Sequence, residues 1–220
     1  MQTVEKKFSP ETTILLWDLH EVLFEKSRLQ WVWLCLKFNR RRELLFNLDR
    51  HILRILFSFI LERLCLAKKE LVSEELLNAA RAANNHALVE LVTTVSSAYT
   101  PIKPTVELLK ELSALGYTHH IGSNIGKTVF EHCQGKFNHV FSEFTQATIP
   151  FYAAEKNIIK KPNPHFFVTH LEKNNLHAKN IIFIDDKKMN IDAAQSVGIH
   201  AIQFKNAEQL KKDLTGIGLL

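Results

Sequence analysis

The sequence is poor in cysteine, and its cysteines are not spaced as pairs. Its 220 residues contain three, Cys35, Cys65 and Cys133, and no CxxC motif. An odd, scattered set of this kind is not expected to form a disulfide framework or a zinc site. Reduced thiols are typical of the cytoplasm, so we expect a cytoplasmic protein.

Long uncharged hydrophobic runs are also missing. The first 13 residues contain no apolar run of signal-peptide length. The most apolar stretch, residues 52–66, is interrupted by Arg54, Glu62 and Arg63, so we expect no stable insertion into a membrane. The sequence has neither an internal repeat nor a low-complexity segment.

The chain lacks a recognisable module for nucleic acid. Its 28 Lys and Arg residues outnumber 23 Asp and Glu residues, which gives a formal net charge of +5. This mild excess suits an anionic substrate, and it equally fits a solvated basic face. Nucleic-acid-binding proteins more often concentrate basic residues with exposed aromatic side chains. We therefore expect no nucleic-acid partner.

Residues 26–98 contain no proline and no glycine. Apolar residues recur there at helical intervals, as in Leu44, Leu45, Leu48, Ile52, Ile55, Leu56, Phe59 and Ile60. This pattern predicts several packed helices, and a proline-punctuated hinge follows at residues 99–104. We expect a helical domain over residues 25–99 and a core domain made of residues 1–24 and 100–220.

The remaining sequence alternates between strand and helix patterns. The predicted strands are residues 13–17, 117–122, a short segment near Val140 and Phe141, 180–184 and 200–204. The predicted helices are residues 104–115, a segment from about Lys127, 164–174, 188–197 and a final helix. Such alternation predicts an α/β fold, a doubly wound, Rossmann-like parallel sheet with helices on both faces.

Polar residues follow three of the predicted strands. Asp18 ends the first, Ser123 and Asn124 follow the second, and Asp185 and Asp186 follow a later one. Any one of these residues could simply cap a helix. Because the carboxyl ends of parallel strands meet at one edge of the sheet, the three groups together indicate a ligand site there.

These residues resemble the four motifs of the haloacid dehalogenase-like superfamily, most of whose members are phosphatases. The first motif is an apolar strand followed by Asp-x-Asp, and residues 18–22 (DLHEV) match it except at the second aspartate. Ser123 corresponds to the second motif, residues 161–164 (KPNP) to the third, and Asp185-Asp186 with Asn190 to the fourth. The resemblance covers residues 12–24 and about 101–210.

The resemblance implies a Mg²⁺-dependent phosphohydrolase that acts on a small phosphomonoester through an aspartyl-phosphate intermediate. Mg²⁺ prefers oxygen ligands and needs only one or two carboxylates. The resemblance implies that Asp18 and Asp186 bind it directly, together with the backbone carbonyl of His20. Asp185 is expected to bind it directly or through a water molecule.

The resemblance also assigns the residues that act on the phosphoryl group. Asp18 is expected to be the nucleophile. Lys161 is expected to neutralise Asp18 and the phosphoryl oxygens, and Ser123 to donate a hydrogen bond to one of those oxygens. Amides of the turn that contains Asn124 are expected to add further contacts to the substrate.

His20 departs from the family pattern, because it replaces an aspartate that acts as general acid and base in the phosphatases. Three interpretations stay open. His20 could perform the same acid–base role, for which an unperturbed pKa of about 6.5 is suitable. The chain could instead be a catalytically weak relative that binds a phosphorylated ligand or a protein partner. It could also be a metal-independent dehalogenase, although the intact pair Asp185-Asp186 argues against this.

The helical segment 25–99 resembles the cap domain of many relatives. A cap favours small soluble phosphate esters over folded phosphoproteins, because it selects substrates by shape. Residues 40–42 (RRR) could attract an anionic substrate or an acidic membrane, or they could form a solvated helix face or loop. The apolar surface of this segment is also compatible with a homodimer interface.

Overall fold

A computed structural model describes residues 8–26, 50, 52, 54–57, 72–96, 98–152 and 158–220. Cys35, Cys65 and residues 40–42 lie outside these ranges. Of the described cysteines, Cys133 is buried and free. Within the described ranges, no helix is both long enough and apolar enough to cross a membrane.

A five-stranded parallel sheet forms the centre of the fold, in the order β5-β4-β1-β8-β9. The strands along the described chain are β1 (Ile14–Trp17), β2 (Phe24–Lys26), β3 (Tyr99–Pro101), β4 (Thr118–Gly122), β5 (Phe144–Thr148), β6 (Phe151–Tyr152), β7 (Ile158–Ile159), β8 (Ile181–Asp185) and β9 (His200–Gln203). This arrangement confirms the α/β fold with a doubly wound parallel sheet that the sequence predicts.

Of the α-helices in the described ranges, the first two precede β3 and the other six lie between or after the later strands. These α-helices are α1 (Val72–Ala82), α2 (His86–Ser96), α3 (Lys103–Ala114), α4 (Lys127–Lys136), α5 (Asn138–Phe141), α6 (Pro164–Lys173), α7 (Lys188–Ser196) and α8 (Ala207–Gly216). The strand predicted near Val140 and Phe141 is wrong. These two residues are buried in the short helix α5, and the strand lies further on, at β5.

The core lies against strands β1 and β8, which are buried on both faces. Their sequences, ILLW and IIFID, are almost continuous apolar runs, as expected for central strands of a parallel sheet. Phe166 and Phe167 of α6 pack with Phe183 in one cluster. The aromatic rings of Phe167 and Phe183 meet edge to face, with centroids 5.0 Å apart. This packing holds β8 and the start of α6 in a fixed position.

The chain divides into two compact units. The first comprises residues 1–25, 101–124 and 138–220 and contains the parallel sheet; the second comprises residues 26–100 and 125–137. In the second unit, α1, α2 and α4 pack together. The core of that unit includes Leu76, Leu77, Leu88, Val92 and Val129. The interpretation of residues 25–99 as a cap stays a prediction.

Candidate active site

Asp18 is the first residue after β1 and is almost completely buried, with 4% of its surface exposed. Its backbone N–H still donates to the carbonyl of Ile184 at 2.9 Å, which continues the ladder between β1 and β8. The N–H of Leu19 donates to Asp18 Oδ1 at 2.8 Å. The backbone and the carboxylate of Asp18 are therefore both fixed by neighbouring strand and turn groups.

Lys161 carries its ammonium group into the same site, where it is 99% buried. Its Nζ atom lies 3.1 Å from Oδ1 of Asp18 and 2.6 Å from Oδ2 of Asp185. Burial alone would lower the pKa of Lys161, but the two carboxylates outweigh burial and raise it above its ordinary value. Lys161 is therefore a cation shared between the carboxylates of β1 and β8.

Asp185, the last residue of β8, is held by donors on several sides. Asn190 Nδ2 donates to both carboxylate oxygens, at 3.0 and 2.9 Å. The backbone N–H of Lys187 donates to Oδ1 at 2.8 Å. Burial and the nearby Asp18 raise the pKa of Asp185 to about 6, although Lys161 acts in the opposite direction. The Asp185 carboxylate thus has little freedom to reorient.

Asp186 completes a group of three carboxylates. One carboxylate oxygen from each of Asp18, Asp185 and Asp186 lies within 4.8 Å of the others. The Oδ1 atom of Asp186 is buried and finds no hydrogen-bond partner in the described part of the chain. Burial and the charge of Asp18 raise the pKa of Asp186. An all-oxygen donor set with an unsatisfied carboxylate oxygen fits a hard divalent cation such as Mg²⁺.

Ser123 follows β4, and its side chain acts on the carboxylate of Asp18. Its N–H donates to the carbonyl of Thr148 at 3.1 Å, which fixes it to the end of β5. Its hydroxyl is fully buried and helps to lower the pKa of Asp18, yet it makes no hydrogen bond of ordinary geometry among the described residues. The preceding residue must be small, because a side chain at Gly122 would come within 3.0 Å of the Leu16 side chain.

The Asn124 side chain forms hydrogen bonds with another residue of the protein. Its Nδ2 donates to the carbonyl of Lys161 at 2.7 Å, and its Oδ1 accepts from the N–H of Lys161 at 2.9 Å. The substrate-binding role expected for Asn124 stays a prediction. What the side chain does in this structure is to hold the Lys161 backbone.

His20 is half-buried in the turn that follows Asp18. Glu21 in this turn has a positive φ of 58°, and its N–H donates to the carbonyl of Phe24 at 2.8 Å. Burial alone would raise the pKa of Asp18, but Lys161, Ser123 and His20 together hold it below its ordinary value. The charge of His20 therefore acts on the Asp18 carboxylate. Metal binding through the His20 carbonyl stays a prediction.

The structure therefore brings together the side chains of Asp18, Ser123, Lys161, Asp185 and Asp186. The sequence interpretation missed the carbonyl of Thr148, which anchors Ser123, because it missed β5. The β-branched residues of the segment FTQAT were an available signal for a strand. The link between Asn124 and the Lys161 backbone gave no such signal, since the two residues are distant in sequence.

Comparison with known proteins places this chain in a family. Residues 65–204 match the sequence model of the haloacid dehalogenase-like hydrolases. The chain belongs to the haloacid dehalogenase-like hydrolase family. The resemblance stated from the motifs is thereby confirmed, although the family match begins after residues 18–22. This family member is thus an enzyme of the hydrolase class.

One curated relative is similar over a short region. Flavin mononucleotide hydrolase 1 of Arabidopsis thaliana, described as chloroplastic, is 33% identical over 60 residues. The match covers 27% of this chain and 24% of the relative, so it spans only about a quarter of that protein.

Solved structures share the fold of this haloacid dehalogenase-like hydrolase. A HAD-like family hydrolase from Porphyromonas gingivalis has a TM-score of 0.58 at 18% identity, over 93% of this chain and 97% of that one. A HAD family enzyme from Bacteroides thetaiotaomicron, in complex with magnesium and inorganic phosphate, also scores 0.58, at 20% identity over 88% and 94%. L-2-haloacid dehalogenase from Xanthobacter autotrophicus, with chloropropionic acid covalently bound, scores 0.56 at 12% identity over 94% and 84%.

Proposed function

We propose that this chain is a Mg²⁺-dependent phosphohydrolase that cleaves a small phosphomonoester through an aspartyl-phosphate on Asp18. The observation that carries this proposal is the group of three carboxylates, Asp18, Asp185 and Asp186, with the buried ammonium of Lys161 against two of them, Asp18 and Asp185. The site thus holds three carboxylates, two of them buried, and one ammonium. Approach of a phosphate would add further negative charge, which requires another cation.

Asp18, Asp185 and Asp186 are the side chains that would hold Mg²⁺, and the backbone carbonyl of His20 is the fourth candidate ligand. When bound, Mg²⁺ supplies positive charge that lets an anionic nucleophile approach an anionic phosphate. The unsatisfied Oδ1 of Asp186 supports this assignment, because a buried carboxylate oxygen without a partner is costly unless a ligand completes it.

Asp18 attacks the phosphorus atom through a carboxylate oxygen. Its low pKa keeps it ionised at neutral pH, so the nucleophile is ready without prior proton transfer. A bond forms between Asp18 and phosphorus, and the bond from phosphorus to the ester oxygen breaks. Lys161 and the Ser123 hydroxyl stabilise the charge on the phosphoryl oxygens.

His20 moves the protons in both half-reactions. As the ester bond breaks, the protonated imidazole gives its proton to the leaving alcohol oxygen. The neutral imidazole then takes a proton from a water molecule, whose oxygen attacks phosphorus and breaks the bond to Asp18. Inorganic phosphate is released, and both the Asp18 carboxylate and the His20 imidazolium are regenerated.

The relatives support the substrate class without fixing it. Flavin mononucleotide, named in the Arabidopsis relative, is a small phosphomonoester, and the Bacteroides enzyme was solved with magnesium and inorganic phosphate. A metal-independent dehalogenase would leave the buried Oδ1 of Asp186 without a partner, which favours the metal-dependent reaction. A cap role for residues 25–99, a homodimer and a cytoplasmic location remain predictions.

Hydrolysis of an aryl phosphate tests the proposal. We expect purified protein to release inorganic phosphate when Mg²⁺ is present and to stop in EDTA. Asp18→Asn should lower turnover by about 10³-fold or more, since the nucleophile is lost. Asp213→Asn, an exposed carboxylate in α8, is the matched control and should leave turnover unchanged.

A broad panel of phosphate esters and haloacids separates the alternatives. If no ester in the panel turns over but the protein binds Mg²⁺ and phosphate in calorimetry, the catalytically weak binding relative replaces the enzyme. Halide release from a haloacid in EDTA would overturn the phosphohydrolase in favour of a dehalogenase.

A further inference from the structure

The side-chain amide of Asn124 pairs with the backbone of one residue, Lys161. Its Nδ2 donates to the Lys161 carbonyl at 2.7 Å and its Oδ1 accepts from the Lys161 N–H at 2.9 Å. Because an amide is planar, two hydrogen bonds to one residue fix orientation as well as distance. The contact joins the end of β4 to the segment between β7 and α6.

The Lys161 backbone depends on this contact. Lys161 lies outside the strands and helices, between β7 and the first turn of α6. Pro162, which follows it, has no N–H to donate. A neighbouring hydrogen bond in this turn runs from the N–H of Asn163 to the carbonyl of Lys160 at 2.9 Å. It does not use the N–H or the carbonyl of Lys161, and both of these groups pair with the Asn124 side chain.

At the far end of the Lys161 side chain, two carboxylates fix the position of the ammonium group. It lies 3.1 Å from Asp18 and 2.6 Å from Asp185, and the side chain is 99% buried. A shift of the backbone by about 1 Å would break one of these contacts, and misplacement on that scale can cost about 10²-fold in rate.

We propose that Asn124 is a positioning residue, whose amide sets the Lys161 backbone so that the ammonium bridges Asp18 and Asp185. The inference rests on the proposed function for its effect on turnover. It gives Asn124 a role different from the substrate contact expected from the sequence, because one donor and one acceptor of its amide already serve Lys161.

Asn124→Ala tests this role against a matched control. We expect kcat to fall by about 10- to 100-fold while KM changes by less than about threefold, because a misplaced Lys161 loses mainly the stabilisation of charge that develops on the phosphoryl oxygens in the transition state. Asn174→Ala is the control, because Asn174 Nδ2 donates to a backbone carbonyl, that of His170, at 2.8 Å, at the far end of α6. It should change kcat by less than about twofold. A raised KM with unchanged kcat would overturn the inference and make Asn124 a substrate contact.

Asn124→Asp supplies a signature that a general loss of stability does not produce. A protonated carboxyl group has the shape of the amide and can donate to the Lys161 carbonyl while accepting from its N–H, whereas the ionised form cannot donate. We therefore expect the ratio of Asn124→Asp activity to wild-type activity to rise as the pH falls. Taking the ratio at each pH cancels the titrations that the two proteins share. A ratio that stays flat with pH would contradict the proposal.

Chemical labelling of Lys161 separates this inference from the proposed function. The proteins are treated with acetic anhydride at neutral pH, and acetylation of Lys161 is read by mass spectrometry. Lys161 should stay unmodified in the wild type and in Asn174→Ala. It should become acetylated in Asn124→Ala and in Asn124→Asp. This readout needs no turnover. If wild type fails to hydrolyse any ester but shows this labelling pattern, the function fails and the positioning role stands. Unmodified Lys161 in both Asn124 variants would overturn it.

Discussion

The ammonium of Lys161 lies 3.1 Å from Oδ1 of Asp18, so the proposed nucleophile is paired with a cation before any substrate binds. The same ammonium lies closer still to Asp185, at 2.6 Å. A single side chain therefore offsets charge on two neighbouring strands of the sheet. Its removal should affect stability as well as turnover.

Lys161→Met should destabilise the folded chain, because it leaves two buried carboxylates without their shared cation. Breaking a buried ion pair on one side costs about 3–5 kcal/mol, and urea unfolding measures this loss. Mg²⁺ should restore part of the stability, since it binds the same carboxylates. The control is Lys211→Met, an exposed partner of Glu111, which should cost less than about 1 kcal/mol. A Lys161 variant as stable as the Lys211 variant would contradict the charge balance described for the site.

Asp186→Asn should weaken Mg²⁺ binding without destabilising the metal-free protein. The substitution removes one negative charge from a crowded carboxylate group but keeps the size of the side chain. We expect the Mg²⁺ dissociation constant in calorimetry to rise by about 10-fold or more. Asp192→Asn removes an exposed carboxylate of α7 and should leave it unchanged. Equal affinities in the two variants would remove Asp186 from the metal site.

His20→Ala should slow hydrolysis of an aryl phosphate by about 10²-fold or more, because the proposed acid and base is lost. His20→Asp restores the residue of the family motif and should recover most of that rate. His139→Gln, at an exposed position, serves as the control. Full activity of His20→Ala would show that the proton transfers use another group.

Stability should fall as the pH is lowered from about 6.5 towards 4, because three histidines are kept neutral by the fold. Burial lowers the pKa values of His119, His120 and His170 to about 4. Between those limits the unfolded chain binds more protons than the folded chain, so acid favours unfolding. This contribution is fully present above about 6.5 and is lost as the pH falls through the folded pKa.

A variant of His170 isolates this effect from the carboxylates. His170 Nε2 lies 3.2 Å from His120 Nδ1, and its Nδ1 lies 2.9 Å from the Thr148 hydroxyl. The raised pKa of Asp185 acts with the opposite sign, so the comparison is between variants and wild type. In urea unfolding at several pH values, His170→Leu should show a shallower slope between pH 6.5 and 4. The exposed control His177→Gln should retain the wild-type slope; equal slopes for all three proteins would refute the prediction.

The sequence predicted the central strands and the residues that follow them, because β1 and β8 are short, almost continuous apolar runs that are followed by or end in carboxylates. It failed at β5, which is an edge strand with one neighbour, β4, and whose middle residues are exposed. The burial of Val140 and Phe141 by a short helix looks the same in sequence as burial by a strand. An apolar pair alone does not distinguish the two.

The sequence predicted which residues form the site better than it predicted the contacts between them. Asp18, Lys161 and Asp185 could be named from local patterns, but the way their charges are shared could not. The hydrogen bonds from Asn124 to Lys161 and from Ser123 to Thr148 depend on how separate segments meet in the fold. Such contacts between distant segments leave no regular residue spacing in a single sequence.

The backbone N–H groups of Asp18 and Ser123 still take part in the strand ladder, as does the carbonyl of Asp185, which accepts from Phe204 at 2.9 Å. The distance between adjacent strands, about 4.8 Å, therefore sets the separation of these side chains. Loops that start after these residues can differ in length without moving the side chains of Asp18, Ser123 and Asp185. A segment as long as residues 26–98 can therefore follow Asp18 in the chain without changing the spacing between the Asp18 and Asp185 carboxylates.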